Sequence, residues 1–148
     1  MNLIETINQI VNERDSIFDH IALCSGVSEL AYMILYIIET EKDKNWIQSD
    51  LADSFFFSRK SVNSAVSKLS NEGLIYLDSS TYNGNKKVLK LTDKGKEFCA
   101  KWIVPVIKAS DESFLALNEE ELRLMIELER KQLDAFKKII KETNLISR

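Results

Sequence analysis

Hydrophobic residues recur at helical spacing in the first forty positions. From Leu3 to Cys24 they follow alternating steps of four and three, interrupted only at Arg14, and this pattern predicts a long amphipathic helix. A second helix, 29–41, follows a cap at Ser28 and is apolar nearly all round. Such a pattern is typical of a buried helix, so we expect the second helix to lie in the core.

The middle of the chain carries two further helix patterns. A capping pair, Asn45 and Gln48, predicts a short helix at 47–54, which a turn of three phenylalanines follows. Ser58 is a good N-cap for the next helix, which Gly73 ends. The apolar side of that helix repeats at i, i+3, i+4 and i+7 and consists of Val62, Ala65, Val66 and Leu69.

A β-hairpin and further helices follow. Strand patterns at 74–80 and 86–91 flank the turn sequence "TYNGN". Thr92 caps the next helix, and Pro105 predicts a kink or break near Val104.

The last helix begins after a second capping pair, Asn118 and Glu121, and runs to about Glu142. The sequence therefore predicts six helices with a hairpin between the fourth and fifth, a mainly α fold with a small β-wing. We divide it into N-terminal helices (1–44), a winged helix-turn-helix domain (45–92) and C-terminal dimerisation helices (93–148).

Charge is unevenly distributed along the 148 residues, whose net charge is -3. Residues 54–92 hold six bases and two acids, a net of +4, whereas the remainder holds 14 bases and 21 acids, a net of -7. No acid lies between Asp53 and Glu72, although an ordinary solvated helix face mixes both signs. The polar face of the 58–72 helix therefore favours a negatively charged partner. It consists of Ser58, Arg59, Lys60, Ser61, Asn63, Ser64, Ser67 and Lys68.

The order of elements in 45–92 is that of a winged helix-turn-helix, whose second helix enters the major groove of DNA. The stretch "QSDLADSFFFSRKSVNSAVSKLSNEGLI", followed by the hairpin and "LTDKG", resembles the MarR (multiple antibiotic resistance regulator) family of bacterial transcription factors. The resemblance rests on "DLA", "SRKSV", "L...GLI" and "LT..G" in register and covers essentially the whole chain.

The resemblance implies that the polar face just described, apart from Ser67, meets double-stranded DNA and that the wing tip reaches the adjacent minor groove. Two features depart from the family pattern: Phe56 stands where a glycine is usual, and the wing tip reads "YNGNKK" where Asp and Arg are common. The wing residues predicted to contact DNA are Asn85, Lys86 and Lys87.

The apolar seams at 3–24 and 122–140 supply more apolar surface than one winged domain can cover, which predicts a homodimer. A two-fold dimer would bind a palindromic operator with half-sites roughly 10 base pairs apart. The predicted interface residues are Ile4, Ile7, Ile10, Val11, Leu133, Phe136 and Ile140.

The resemblance also implies a pocket for a small aromatic or apolar effector, lined by Tyr32, Tyr36, Trp46 and Trp102, although aromatic residues at helical spacing are more often plain core.

The two cysteines, Cys24 and Cys99, have no metal-ligand spacing, and His20 is the one histidine. The sequence also has no phosphate-binding loop. We therefore expect no bound metal, no cofactor and no enzymatic activity. The longest apolar stretch, Leu30 to Ile38, is too short to span a bilayer, so we expect a cytoplasmic protein with no membrane partner.

The function predicted is that of a DNA-binding transcription regulator, with repression the expected outcome. A winged-helix module that docks an acidic protein without reading DNA is the alternative. A second alternative is a redox sensor acting through Cys24, which the absence of an adjacent base in "IALCSG" disfavours.

Overall fold

Helices account for most of the computed structural model, which describes residues 2–79 and 86–143. The chain divides into two compact units, Met1–Ile107 and Lys108–Arg148. The described elements are α1 (Leu3–Ser25), α2 (Glu29–Thr40), α3 (Gln48–Ser54), α4 (Arg59–Asn71), β1 (Ile75–Asp78), β2 (Val88–Leu91), α5 (Asp93–Trp102), α6 (Val104–Ser113), a 3-10 turn (Phe114–Ala116) and α7 (Glu119–Glu142). The predicted fold class, mainly α with a small β-wing, is confirmed.

Side-chain caps fix where several helices begin. Asn118 and Glu121 form a reciprocal capping box at the start of α7, as the sequence predicts, and Asn2 and Glu5 form another at α1. Ser28 accepts a hydrogen bond from the backbone N–H of Ala31 and caps α2. The predicted bounds of these three helices lie within two residues of the observed ones.

The prediction that Asn45 caps α3 is wrong. Ile47 occupies the N-cap position, and its side chain makes no capping bond. The backbone here is extended because it pairs with the hairpin: Ile47 forms an isolated antiparallel bridge with Val88, and the N–H of Leu89 donates to the carbonyl of Trp46 over 2.8 Å. Strand pairing positions the start of α3, a contact that local sequence does not encode.

The number of helices differs from the prediction. The described residues form seven α-helices rather than six, because the predicted break near Val104 separates α5 from a further helix, α6. Pro105 is the second residue of α6, where a backbone N–H has no intrahelical acceptor and proline is tolerated.

The core of the first unit surrounds α2. Five of its twelve residues are buried, and the apolar face of α4 packs against them through Val62, Ala65, Val66 and Leu69. No single helix in the described ranges is long and apolar enough to cross a membrane. Helices α1 and α2 taken together are long and apolar enough by length and composition, but the chain bends by 99° between them.

Residues after α4 attach the wing to the core. β1 and β2 pair antiparallel, with Ile75 opposite Leu91, and Gly73 adopts φ 74 after the end of α4. The hydroxyl of Thr92 donates to the carbonyl of Gly73 over 2.5 Å and also accepts from the N–H of Gly95 over 2.9 Å. The "LT..G" motif therefore joins the end of α4, the wing and the start of α5.

Candidate nucleic-acid interface

Helix α4 separates its apolar and polar residues cleanly. Its four buried residues face the core, whereas all eight predicted DNA-binding positions from Ser58 to Lys68 are exposed. Ser58 caps the helix, since its hydroxyl accepts from the N–H of Ser61 over 3.4 Å. The first turn of α4 contains no acid, so Arg59 and Lys60 lie there without an acidic neighbour on their own helix.

An acid from α3 nevertheless reaches Arg59. The guanidinium Nη2 lies 2.8 Å from Oδ2 of Asp53, and Nε lies 3.3 Å from Oδ1. Hydrogen bonding and charge attraction from Asp53 raise the pKa of Arg59 above its ordinary value. The sequence analysis did not predict this pair, although Asp53 is the acid that immediately precedes the acid-free stretch.

The wing contributes two exposed cations. Lys86 and Lys87 precede β2 and are exposed. Lys90 lies within β2 opposite Tyr76 and is half-buried. Asn85, the third predicted wing contact, lies outside the described residues.

Phe56 occupies the turn between α3 and α4 in a conformation that side chains rarely adopt. Its φ is 58°, and 95% of the residue is exposed. Left-handed backbone costs a residue with a β-carbon about 1–2 kcal/mol, and glycine avoids that cost. The departure from the usual glycine therefore leaves a strained turn with an exposed aromatic ring.

Apolar side chains are exposed on the helix at each end of the chain. In α1 the exposed residues include Ile4 (71%), Ile7, Ile10 and Val11. In α7 no residue is buried, and Leu133 and Phe136 (54%) are exposed while Ile140 is half-buried. The seven predicted interface residues thus leave apolar surface open on both helices.

The four aromatic residues predicted to line an effector pocket contribute to packing. The hydroxyl of Tyr32 donates to the carbonyl of Trp102 over 2.7 Å, and burial raises the pKa of Tyr32 to about 12. Tyr36 lies edge-on to Phe18, with ring centroids 5.7 Å apart. Trp46 is only 1% exposed, and its Nε1 has no hydrogen-bond partner among the described residues.

A separate groove lies on the first unit, with a volume of about 450 Å³. Apolar wall comes from Ile38, Tyr76 and Leu89, and Lys90 supplies positive charge. Lys42 also lines the groove, but its ammonium pairs there with the carboxylate of Glu39. None of the four predicted aromatic residues lines it.

The two cysteines differ sharply in their surroundings. Cys99 is buried, and burial raises the pKa of its thiol to about 12. Cys24 is exposed, and its Sγ lies 3.8 Å from Nε2 of His20. The statement that Cys24 has no adjacent base is therefore wrong. Four-residue spacing on one helix places the imidazole beside the thiol, a signal that the sequence contained.

No family model matches the chain, and no curated protein matches it in sequence. Solved structures do match. A MarR family regulator from Neisseria meningitidis aligns with 97% of this chain and 100% of its own, at 19% identity and a TM-score of 0.75.

Two further matches cover nearly as much. The transcription regulator MarR from Oenococcus oeni covers 90% of this chain and 99% of its own, at 19% identity and a TM-score of 0.71. The structure of S. aureus MepR in complex with DNA aligns with 92% of this chain and 98% of its own, at 17% identity and a TM-score of 0.69. From α1 to α7, the chain has the fold of the MarR family of transcription regulators.

Proposed function

We propose that this protein is a MarR family transcription regulator that binds a palindromic operator as a homodimer and represses the adjacent promoter. In this proposal residues 45–92 read double-stranded DNA, and the flanking segments, 1–44 and 93–148, hold the two copies together. Regulators with this fold include one whose solved structure contains DNA, the MepR–DNA complex.

The observation that carries the proposal is the exposed, acid-free face of α4. Short Ser and Asn side chains allow a helix to approach base edges closely, and Arg and Lys reach guanine edges or phosphates. The buried opposite face fixes the rotation of the helix, so the same eight side chains always point outward. Lys86 and Lys87 extend the cationic surface onto the wing.

The dimer part of the proposal rests on the exposed apolar residues of α1 and α7. Only the last turns of α1 pack on the core, through Ala22 with Phe18 and Ile21 beside it, which leaves the preceding four turns with their apolar side in water. Pairing with a second copy would remove that surface from water.

Sedimentation of an Ile7→Glu variant tests the dimer. We expect its apparent mass to fall towards that of a monomer, whereas Asn8→Glu, at an exposed polar neighbour, should stay dimeric. A dimer undisturbed by Ile7→Glu would remove α1 from the interface.

Selection of bound fragments from random double-stranded DNA at about 150 mM salt tests the function, because exposed charges are largely screened there beyond about 8 Å. We expect an enriched palindrome with half-sites roughly 10 base pairs apart. If no sequence is enriched, and binding disappears near 200 mM salt, the basic surface instead serves an acidic protein partner.

Single-charge variants then test the predicted phosphate contact of the wing. Lys86→Ala should weaken binding to every sequence and reduce the slope of log affinity against log salt by about 1. Lys131→Ala removes the same charge from α7 and should leave DNA binding unchanged.

We propose that the groove beside Tyr76 holds the effector, because apolar wall and the positive charge of Lys90 together suit an aromatic anion. Titration of the operator complex with benzoate, against uncharged benzamide, tests this. Benzoate should release the operator at lower concentration, and Tyr76→Ala should weaken that response. Equal effects of both compounds would leave the groove without this role.

A further inference from the structure

The pair formed by Asp53 and Arg59 spans the turn of the helix-turn-helix. Asp53 lies in the last turn of α3, and Arg59 is the first residue of α4. Three contacts join them: Nη2 to Oδ2 at 2.8 Å, Nη2 to Oδ1 at 3.1 Å and Nε to Oδ1 at 3.3 Å. The carboxylate therefore lies along the side of the guanidinium that carries Nε and Nη2.

A guanidinium has five N–H donors in a planar fork. The contacts with Asp53 use the Nε–H and Nη2–H that point sideways. The two parallel N–H groups at the far end, one on Nη1 and one on Nη2, remain available, and no partner of Nη1 occurs among the described residues. The side chains of Arg59 and Asp53 are 69% and 59% exposed, so a ligand can reach that end.

The free end of the fork matches one base in particular. Guanine presents two adjacent acceptors, O6 and N7, in the major groove, and a bidentate arginine is the commonest contact to them. Adenine offers one acceptor and one donor there, so two N–H groups cannot both be satisfied. Fixing the plane of the guanidinium in advance also lowers the entropy lost on binding.

The charge of Asp53 changes what Arg59 can do elsewhere. A carboxylate beside the guanidinium neutralises much of its attraction for phosphate and repels a phosphate that approaches the same side. An unpaired arginine at the start of a helix would bind phosphate of any sequence.

Building on the proposed function, we propose that Asp53 is a positioning residue that holds Arg59 edge-on to a guanine, which makes guanine the preferred base at one position of each operator half-site. Asp53 acts through Arg59 and does not itself contact DNA. The specificity of the face thus depends on a residue outside the recognition helix.

Atom-specific changes to the DNA test this assignment. In the operator obtained by selection, each guanine is replaced in turn by 7-deazaguanine, which lacks the N7 acceptor. At one position per half-site the wild-type protein should lose affinity on the order of 10-fold, towards the lower end of the range for a whole bidentate contact, because O6 remains and only the bond to N7 is lost. Arg59→Ala should show no further loss at that position.

Variants of the acid supply the second readout. Asp53→Asn removes the charge and should reduce the preference for guanine at that position on the order of 10-fold while raising affinity for random DNA and steepening the salt dependence. Asp50→Asn is the matched control, because it removes an exposed acid of the same helix that makes no contact with Arg59. Arg59→Lys keeps the charge without the fork and should also lose the guanine preference.

Three outcomes are distinct. If Asp53→Asn lowers affinity for all sequences equally and keeps the guanine preference, Asp53 has only a structural role and the inference fails. A second failure is possible when an operator is selected. If every 7-deazaguanine substitution costs the wild-type protein no more affinity than it costs the Arg59→Ala variant, Arg59 does not read N7 and the inference fails as well. If the wild-type protein selects no sequence at all, the proposed function fails first.

Discussion

Replacing Gly95 with alanine should loosen the junction between the wing and α5. A β-carbon at this position would lie 1.9 Å from the carbonyl oxygen of Leu74 and 2.9 Å from its carbonyl carbon. Ordinary contact begins at 3.4 Å, so the two backbones must separate by about 1.5 Å. Both atoms belong to the backbone and cannot turn aside as a flexible side chain would.

Hydrogen bonds at the same point resist that separation. The N–H of Thr92 donates to Leu74 over 3.1 Å, and Nζ of Lys94 donates to the carbonyl of Glu72 over 2.7 Å. Overpacking costs about 1–3 kcal/mol and one lost hydrogen bond about 1 kcal/mol, whereas the higher helix propensity of alanine returns about 1 kcal/mol. We therefore expect Gly95→Ala to lower the free energy of unfolding by about 1–3 kcal/mol.

Urea unfolding followed by far-UV circular dichroism measures this, at one fixed protein concentration because dimerisation would contribute to stability. Gly26→Ala is the control. A β-carbon there meets nothing within 4 Å, but φ is 84°, so strain alone should cost about 1–2 kcal/mol. If Gly95→Ala is as stable as the wild type, the close approach of α5 to Leu74 does not exist in solution.

Three further predictions concern single side chains. Phe56→Gly should raise the free energy of unfolding by about 0.5–1 kcal/mol, because relief of left-handed strain exceeds the added chain entropy; a loss in urea unfolding would contradict this. The free energy of unfolding should fall as pH rises from about 9 to 12, because the pKa values of Cys99 and Tyr32 are 9.0 and 10.0 when unfolded but about 12 when folded. Urea titrations of Cys99→Ala should show a smaller fall over the same pH range. Iodoacetamide should label Cys24 in the native protein and reach Cys99 only in denaturant, as mass spectrometry would show.

The starts of α4 and α7 were predictable because their signals are local. The capping box of Asn118 and Glu121 needs only residues three apart, and the N-cap of Ser58 needs only the following turn. The buried side of α4 was equally predictable from the helical period.

Contacts across turns were not predictable in the same way. The bridge from Ile47 to Val88 joins residues 41 positions apart, and it displaced the expected cap at Asn45. The contact between Asp53 and Arg59 depends on the angle between two helices, which composition does not encode. Periodicity also identified the seams of α1 and α7 without distinguishing core from exposed surface, because both need the same spacing.

The turn between α3 and α4 shows how packing overrides the local rule for glycine. Phe55 and Phe57 are half-buried with ring centroids 6.1 Å apart, and the N–H of Phe57 donates to the carbonyl of Ala52 over 2.9 Å. Because both neighbours are fixed, Phe56 must adopt the left-handed region whatever its side chain. No contact among the described residues explains an exposed phenylalanine there. If Phe56→Gly proves more stable but binds DNA less well, the strain is retained for a contact outside the chain.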